Sequence, residues 1–97
     1  MIFSFKPAAR SEFFDAIAWY EAQKVGLGQE FSSEVDAALK RAQTHPERFP
    51  KAREARKIRL KRFKKYSIYF VVEKDVVGVV AVWHGARNPD ELKRRLK

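Results

Sequence analysis

Near residue 55 the spacing of apolar and polar positions changes from a period of three to four residues to a period of two. The opening "IFSF" is apolar at alternate positions and is stopped by Pro7, so a short strand is predicted, followed by a helix from about Pro7 to Lys24. Within that helix Phe13, Ala16, Ile17 and Tyr20 recur on one side, and Phe14 and Trp19 widen the stripe. The segment "VGLGQE" breaks the pattern with two glycines. A second helix follows in which Phe31, Val35, Ala38, Leu39 and Ala42 form one continuous apolar face. His45-Pro46 ends it, because the residue before a proline is pushed out of the helical region. So short a connection between two helices predicts an antiparallel hairpin.

From Arg56 onward the alternation is that of strands. In "RKIRLKRF" Ile58 and Leu60 alternate with Lys57, Arg59 and Lys61, which predicts two aliphatic side chains toward the core and three cations outward on a shared face. "YSIYFVVE" places Tyr66, Ile68, Phe70 and Val72 on one side and Ser67, Tyr69 and Val71 on the other. "VVGVVAVW" is apolar on both sides and reads as a central strand. Tyr69, Val71, Val79, Ala81 and Trp83 would then make the outer face of the sheet partly apolar, to be covered by the last helix or by a partner. That helix, "PDELKRRLK", opens on Pro89, carries Asp90 and Glu91 early and four cations late, as the helix dipole favours. The order strand, helix, helix, three strands, helix predicts one α+β domain over residues 1–97, with the hairpin packed on a mostly antiparallel sheet.

Composition narrows the chemistry. The 97 residues suffice for one modest core, and the absence of cysteine excludes disulfides and thiolate metal sites, so no metal and no cofactor are expected. The apolar run at 76–83 is far shorter than the ~20 residues a spanning helix needs, and the N-terminus lacks a basic-then-apolar signal pattern. A cytoplasmic protein with no membrane partner is the expectation.

Charge adds a direction. Residues 1–50 hold six Lys/Arg against seven Asp/Glu, whereas residues 51–97 hold fifteen against five; nine of those cations lie between Lys51 and Lys65, opposed by Glu54 alone. Lys57, Arg59, Lys61, Arg62, Lys64 and Lys65 form a candidate surface for a polyanion or an acidic partner, with Tyr69 and Trp83 as stacking aromatics. "VWHGARNP" supplies the remaining candidates. His84 and Arg87 could serve proton transfer and phosphate stabilisation, or they could decorate a turn in which His84 bonds local backbone and Arg87 pairs with Asp90 or Glu91. Glu12, Glu34 and Asp36 read as exposed helix charges.

The same order of segments resembles the RelE/ParE superfamily of toxins from bacterial type II toxin–antitoxin systems, over nearly the whole chain. Tyr20, Gly26-Leu27-Gly28, Phe31, "PERFP" at 46–50, Tyr69, His84, Arg87 and Pro89 carry the likeness. The resemblance implies a small basic toxin neutralised by a cognate antitoxin. Two mechanisms occur on that scaffold. A RelE-like chain cleaves mRNA on the ribosome, for which Arg59, Arg62, His84 and Arg87 would be the catalytic set. A ParE-like chain inhibits DNA gyrase by contact and traps cleaved DNA. After His84 the chain has neither Tyr nor His, and the long hairpin and the "HGARNP" ending look like the ParE branch. A nucleic-acid-binding domain without toxicity is the third reading.

Overall fold

The computed structural model of the protein describes residues 2–97. The elements are β1 (Ile2–Phe5), α1 (Pro7–Gln23), α2 (Leu27–Thr44), a short 3-10 turn (Pro46–Arg48), β2 (Lys51–Ala52), β3 (Ala55–Arg59), β4 (Tyr66–Glu73), β5 (Val76–His84) and α3 (Pro89–Arg95). The sheet runs β1-β5-β4-β3-β2, with β1 parallel to β5 and every other pair antiparallel. This is the α+β architecture the periodicity predicts, with β2 added as a two-residue partner for β3.

Glycines and one carboxylate set the tight α1–α2 connection. Gly26 takes a left-handed φ of 90°, a conformation that costs a side chain strain. At Gly28 a β-carbon would come within 2.8 Å of the Ile17 carbonyl oxygen, so the two helices approach as closely as they do only without one. Glu21, near the end of α1, accepts hydrogen bonds from the Gly26 and Gly28 amides at 3.0 Å, supplying the N-terminal cap that α2 lacks in its own sequence.

Two apolar layers result. The main core lies between hairpin and sheet, where Phe31, Val35, Ile58, Ile68, Phe70, Val77, Val79 and Val82 are fully buried. Each such side chain contributes about 1.5–3 kcal/mol through burial. Tyr20 stacks on Phe31 with ring centroids 5.2 Å apart, and Phe63 meets Tyr20 edge-on at 4.8 Å. Phe14 and Trp19 stand outside this core, 54% and 52% exposed, so the buried stripe of α1 is narrower than the sequence predicts.

The second layer, on the other sheet face, consists of Ala55, Tyr69, Ala81, Trp83 and Leu96, with Val71, Val80 and Leu92 against them. Helix α3 therefore covers the outer apolar face. Val79 is not part of it. Tyr69 pairs with Ala81 and Phe70 with Val79, leaving Val80 as a β-bulge that shifts the alternation of β5 and sends Val79 to the main core. Val72, predicted inward, is 42% exposed beside the β4–β5 turn.

Candidate functional site

The cations between Lys51 and Lys65 do not share one face. Lys57 and Arg59 alternate with buried Ile58 and point away from the hairpin, Lys57 lying 5.8 Å over the ring of its cross-strand partner Tyr69. Strand β3 ends at Arg59, earlier than the alternation suggests, because buried Leu60 and Phe63 pull the following turn into the main core. That turn carries Arg62 to the hairpin side, where its amide donates to Glu34 at 3.2 Å and its guanidinium pairs with Glu30, both on α2. Lys61 is exposed at the crossing, and Lys64 and Lys65 are exposed beyond it.

Tyr69 and Trp83 are 6% and 4% exposed beneath α3. Neither presents a ring to solvent. Two guanidinium groups lie over Trp83 instead, Arg87 at 3.7 Å and Arg95 at 5.1 Å from its ring centroid. Both arginines bond Glu12 of α1, Arg95 at 2.8 Å, and Glu12 also accepts from the Val82 amide at 3.1 Å. Strand β1 pairs with β5 only as far as Val79, so Val80 to Val82 form an open edge. Glu12 fills it from one side while Arg95 donates to the Val80 carbonyl at 3.4 Å. Burial would raise the pKa of Glu12, but the hydrogen bonds from Arg95, Arg87 and Val82 outweigh it and hold the group below its ordinary value.

The sequence reading of Glu12 as an exposed charge is thereby corrected: its side chain is 13% exposed and joins α1, β5 and α3. Its partners lie at the far end of the chain, beyond any local pattern. One signal did exist, since Glu12 shares the buried side of α1 with Ala9 and Ala16 at helical spacing.

The segment "VWHGARNP" forms a turn that launches α3. The Ala86 amide donates to His84 Nδ1 at 3.0 Å, the Arg87 amide donates to the His84 carbonyl at 3.0 Å, and Asn88 caps the helix by accepting from the Asp90 amide at 2.9 Å. Arg87 also reaches Glu91 at 3.5 Å. Of the four residues a nuclease would require, Arg59 is exposed on the outer sheet face, Arg62 is tied to α2, Arg87 is clasped by Glu12, and His84 lies edge-on to Tyr66 at 5.0 Å.

A different group of residues converges on the hairpin side. Asp15, Trp19, Tyr20, Lys65, Tyr66 and His84 line a cleft of about 300 Å³. It continues into a groove of about 430 Å³ that shares Trp19, Tyr20 and Lys65 and adds Gln23, Arg62 and Lys64. Burial raises the pKa of Tyr20, helped by Tyr66 and Glu34, and burial with Asp15 nearby raises that of Tyr66, so both phenols stay neutral at physiological pH. Among the described residues no His/Cys/Asp/Glu group is arranged to hold a metal ion, and no helix is long and apolar enough to cross a membrane.

A helical hairpin on a sheet whose first strand runs parallel to its last, closed by a short basic helix, is the fold of a solved toxin–antitoxin component. A chain of the "Chromosomal ParDE TA system from P. aeruginosa" matches with a TM-score of 0.65 and 16% identity, over 87% of this chain and 95% of that one. The family model described as "ParE toxin of type II toxin-antitoxin system, parDE" matches residues 3–89, and the chain belongs to this family. The comparison with curated proteins returned no match.

Proposed function

We propose that the protein is a toxin that acts by contact, engaging DNA gyrase and holding it on cleaved DNA, and that a cognate antitoxin neutralises it. The observation that carries this reading is the structural commitment of three of the four residues a ribonuclease would use. Arg62 and Arg87 are bound to carboxylates of α2 and α1, and Nδ1 of His84 accepts from backbone. General acid–base cleavage wants a base and a free guanidinium within reach of one phosphate. Family membership supports the toxin role, and the exposed cations support a large anionic or acidic partner.

The antitoxin segment is expected to be acidic and partly apolar, steered by charge and held by burial. Lys57, Arg59 and Lys61 are among the cations that lie outside the ion pairs of the described residues and are open to it. Changing all three to glutamate should weaken the toxin–antitoxin complex by about tenfold or more, chiefly through slower association that is restored poorly by lowering salt. Surface plasmon resonance of the purified pair measures this, and unchanged association kinetics would contradict the assignment. For the target, the test is inhibition of gyrase supercoiling by the antitoxin-free chain.

A further inference from the structure

We propose that the cleft between α1 and the β3–β4 turn binds an unpaired nucleotide of a single-stranded nucleic acid, stacking its base on Trp19 and its phosphates against Lys64 and Lys65. The inference does not depend on gyrase being the target.

Three observations carry it. Trp19 is 52% exposed on a helix where Phe13 and Tyr20 pack into the core, and of the two exposed aromatics of α1, Trp19 and Phe14, it is Trp19 that lines the cleft. Its indole is held edge-on to Tyr20, with centroids 5.2 Å apart at 86°, which fixes the ring as a platform beside the cleft. Lys64 and Lys65 lie across the groove from it and make no ion pair among the described residues, whereas Arg62 is neutralised by Glu30. An aromatic platform beside uncompensated cations is the arrangement that holds single strands without strong sequence preference.

The cleft chemistry selects a base over a carboxylate. Asp15, Trp19 and Gln23 follow one another at four-residue spacing along α1, so a carboxylate and an amide flank the indole on the same helix ridge. Asp15 accepts from exocyclic amino or ring N–H groups and repels an acidic side chain. His84 completes the donors: because Nδ1 accepts from the Ala86 amide, the ring proton is on Nε2. The neutral phenols of Tyr20 and Tyr66 add hydrogen-bonding groups without adding negative charge. Tyr69 and Trp83, the aromatics of the opposite face, are too deeply buried to compete.

The experiment is titration of the antitoxin-free chain with oligodeoxythymidylate, oligouridylate and a hairpin duplex of equal length, read by tryptophan fluorescence and by anisotropy of the labelled strand. Trp83 is buried, so quenching reports Trp19. Single strands should quench and the duplex should not; quenching by both strands or by either one supports the site and identifies the sugar it accepts. Trp19→Ala should weaken binding about tenfold and Trp19→Tyr should recover most of it. Lys64→Glu with Lys65→Glu should weaken it further and reduce its salt dependence. Lys93→Glu with Arg94→Glu removes the same charge from α3 and should change affinity less than about threefold. Equal affinity for duplex and single strand, or a Trp19→Ala variant that binds like the parent, would overturn the proposal. So would equal quenching by a polyglutamate peptide, which would make the groove a site for an acidic protein.

Discussion

Glu12 closes the open edge of β5 and pairs with two arginines at once, and its ionisation is tied to the folded state. A group whose folded pKa is depressed stabilises the protein above its unfolded pKa and loses that contribution as the pH falls through the folded one. Glu12→Gln should therefore cost about 2–3 kcal/mol at neutral pH, the loss of charged hydrogen bonds in a partly buried site. The deficit should shrink as the pH drops through and below the carboxylate range, where the parent residue is itself protonated. Urea unfolding of parent and variant at neutral and acidic pH measures it, and a deficit independent of pH would contradict the account. None of this was legible from residue type, because an acidic residue on a helix is ordinarily solvated; only its spacing with Ala9 and Ala16 marked it as inward. His84 and Arg87 were legible as a pair of alternatives, and their local geometry is that of the turn.

At the scale of elements, the predicted order and most boundaries agree with the structure because each rests on a strong local signal. Pro7, the glycine pair and His45-Pro46 delimit the two helices, and Asn88-Pro89 starts the third. What escaped the sequence depends on pairing between strands. The bulge at Val80 is invisible in an all-apolar run, where any phase of alternation fits, and it moved Val79 from the outer to the inner face. Strand β3 read too long because Leu60 and Lys61 continue an alternation that the chain follows only as far as Arg59. The hairpin turn offers the sharpest stability test. Gly28→Ala forces a β-carbon against the Ile17 carbonyl and should cost about 1–3 kcal/mol. Gly26→Ala has open space and should lose only the left-handed backbone term, about 1–2 kcal/mol. Thermal unfolding of both variants separates these sources; a Gly28→Ala protein as stable as the parent would show that the helices can move apart freely.

For the molecule as a whole, the charge asymmetry of the sequence resolves into two fields rather than one. Lys57 and Arg59 belong to the outer sheet face beside α3, and Lys64 and Lys65 to the hairpin groove beside Trp19. The two fields correspond to the two partners proposed above, an antitoxin on one side and a nucleic-acid strand on the other. Between them α3 is clamped by Arg87 and Arg95 over Trp83, so Arg87, one of the nuclease positions the resemblance implies, is part of the scaffold. The most direct test of contact-based toxicity is a paired assay on the antitoxin-free chain. Gyrase with supercoiled DNA is analysed for trapped cleavage complexes, and programmed ribosomes are analysed for mRNA cuts. The account predicts cleaved DNA bound to gyrase with the mRNA intact; cut mRNA with gyrase unaffected would contradict it.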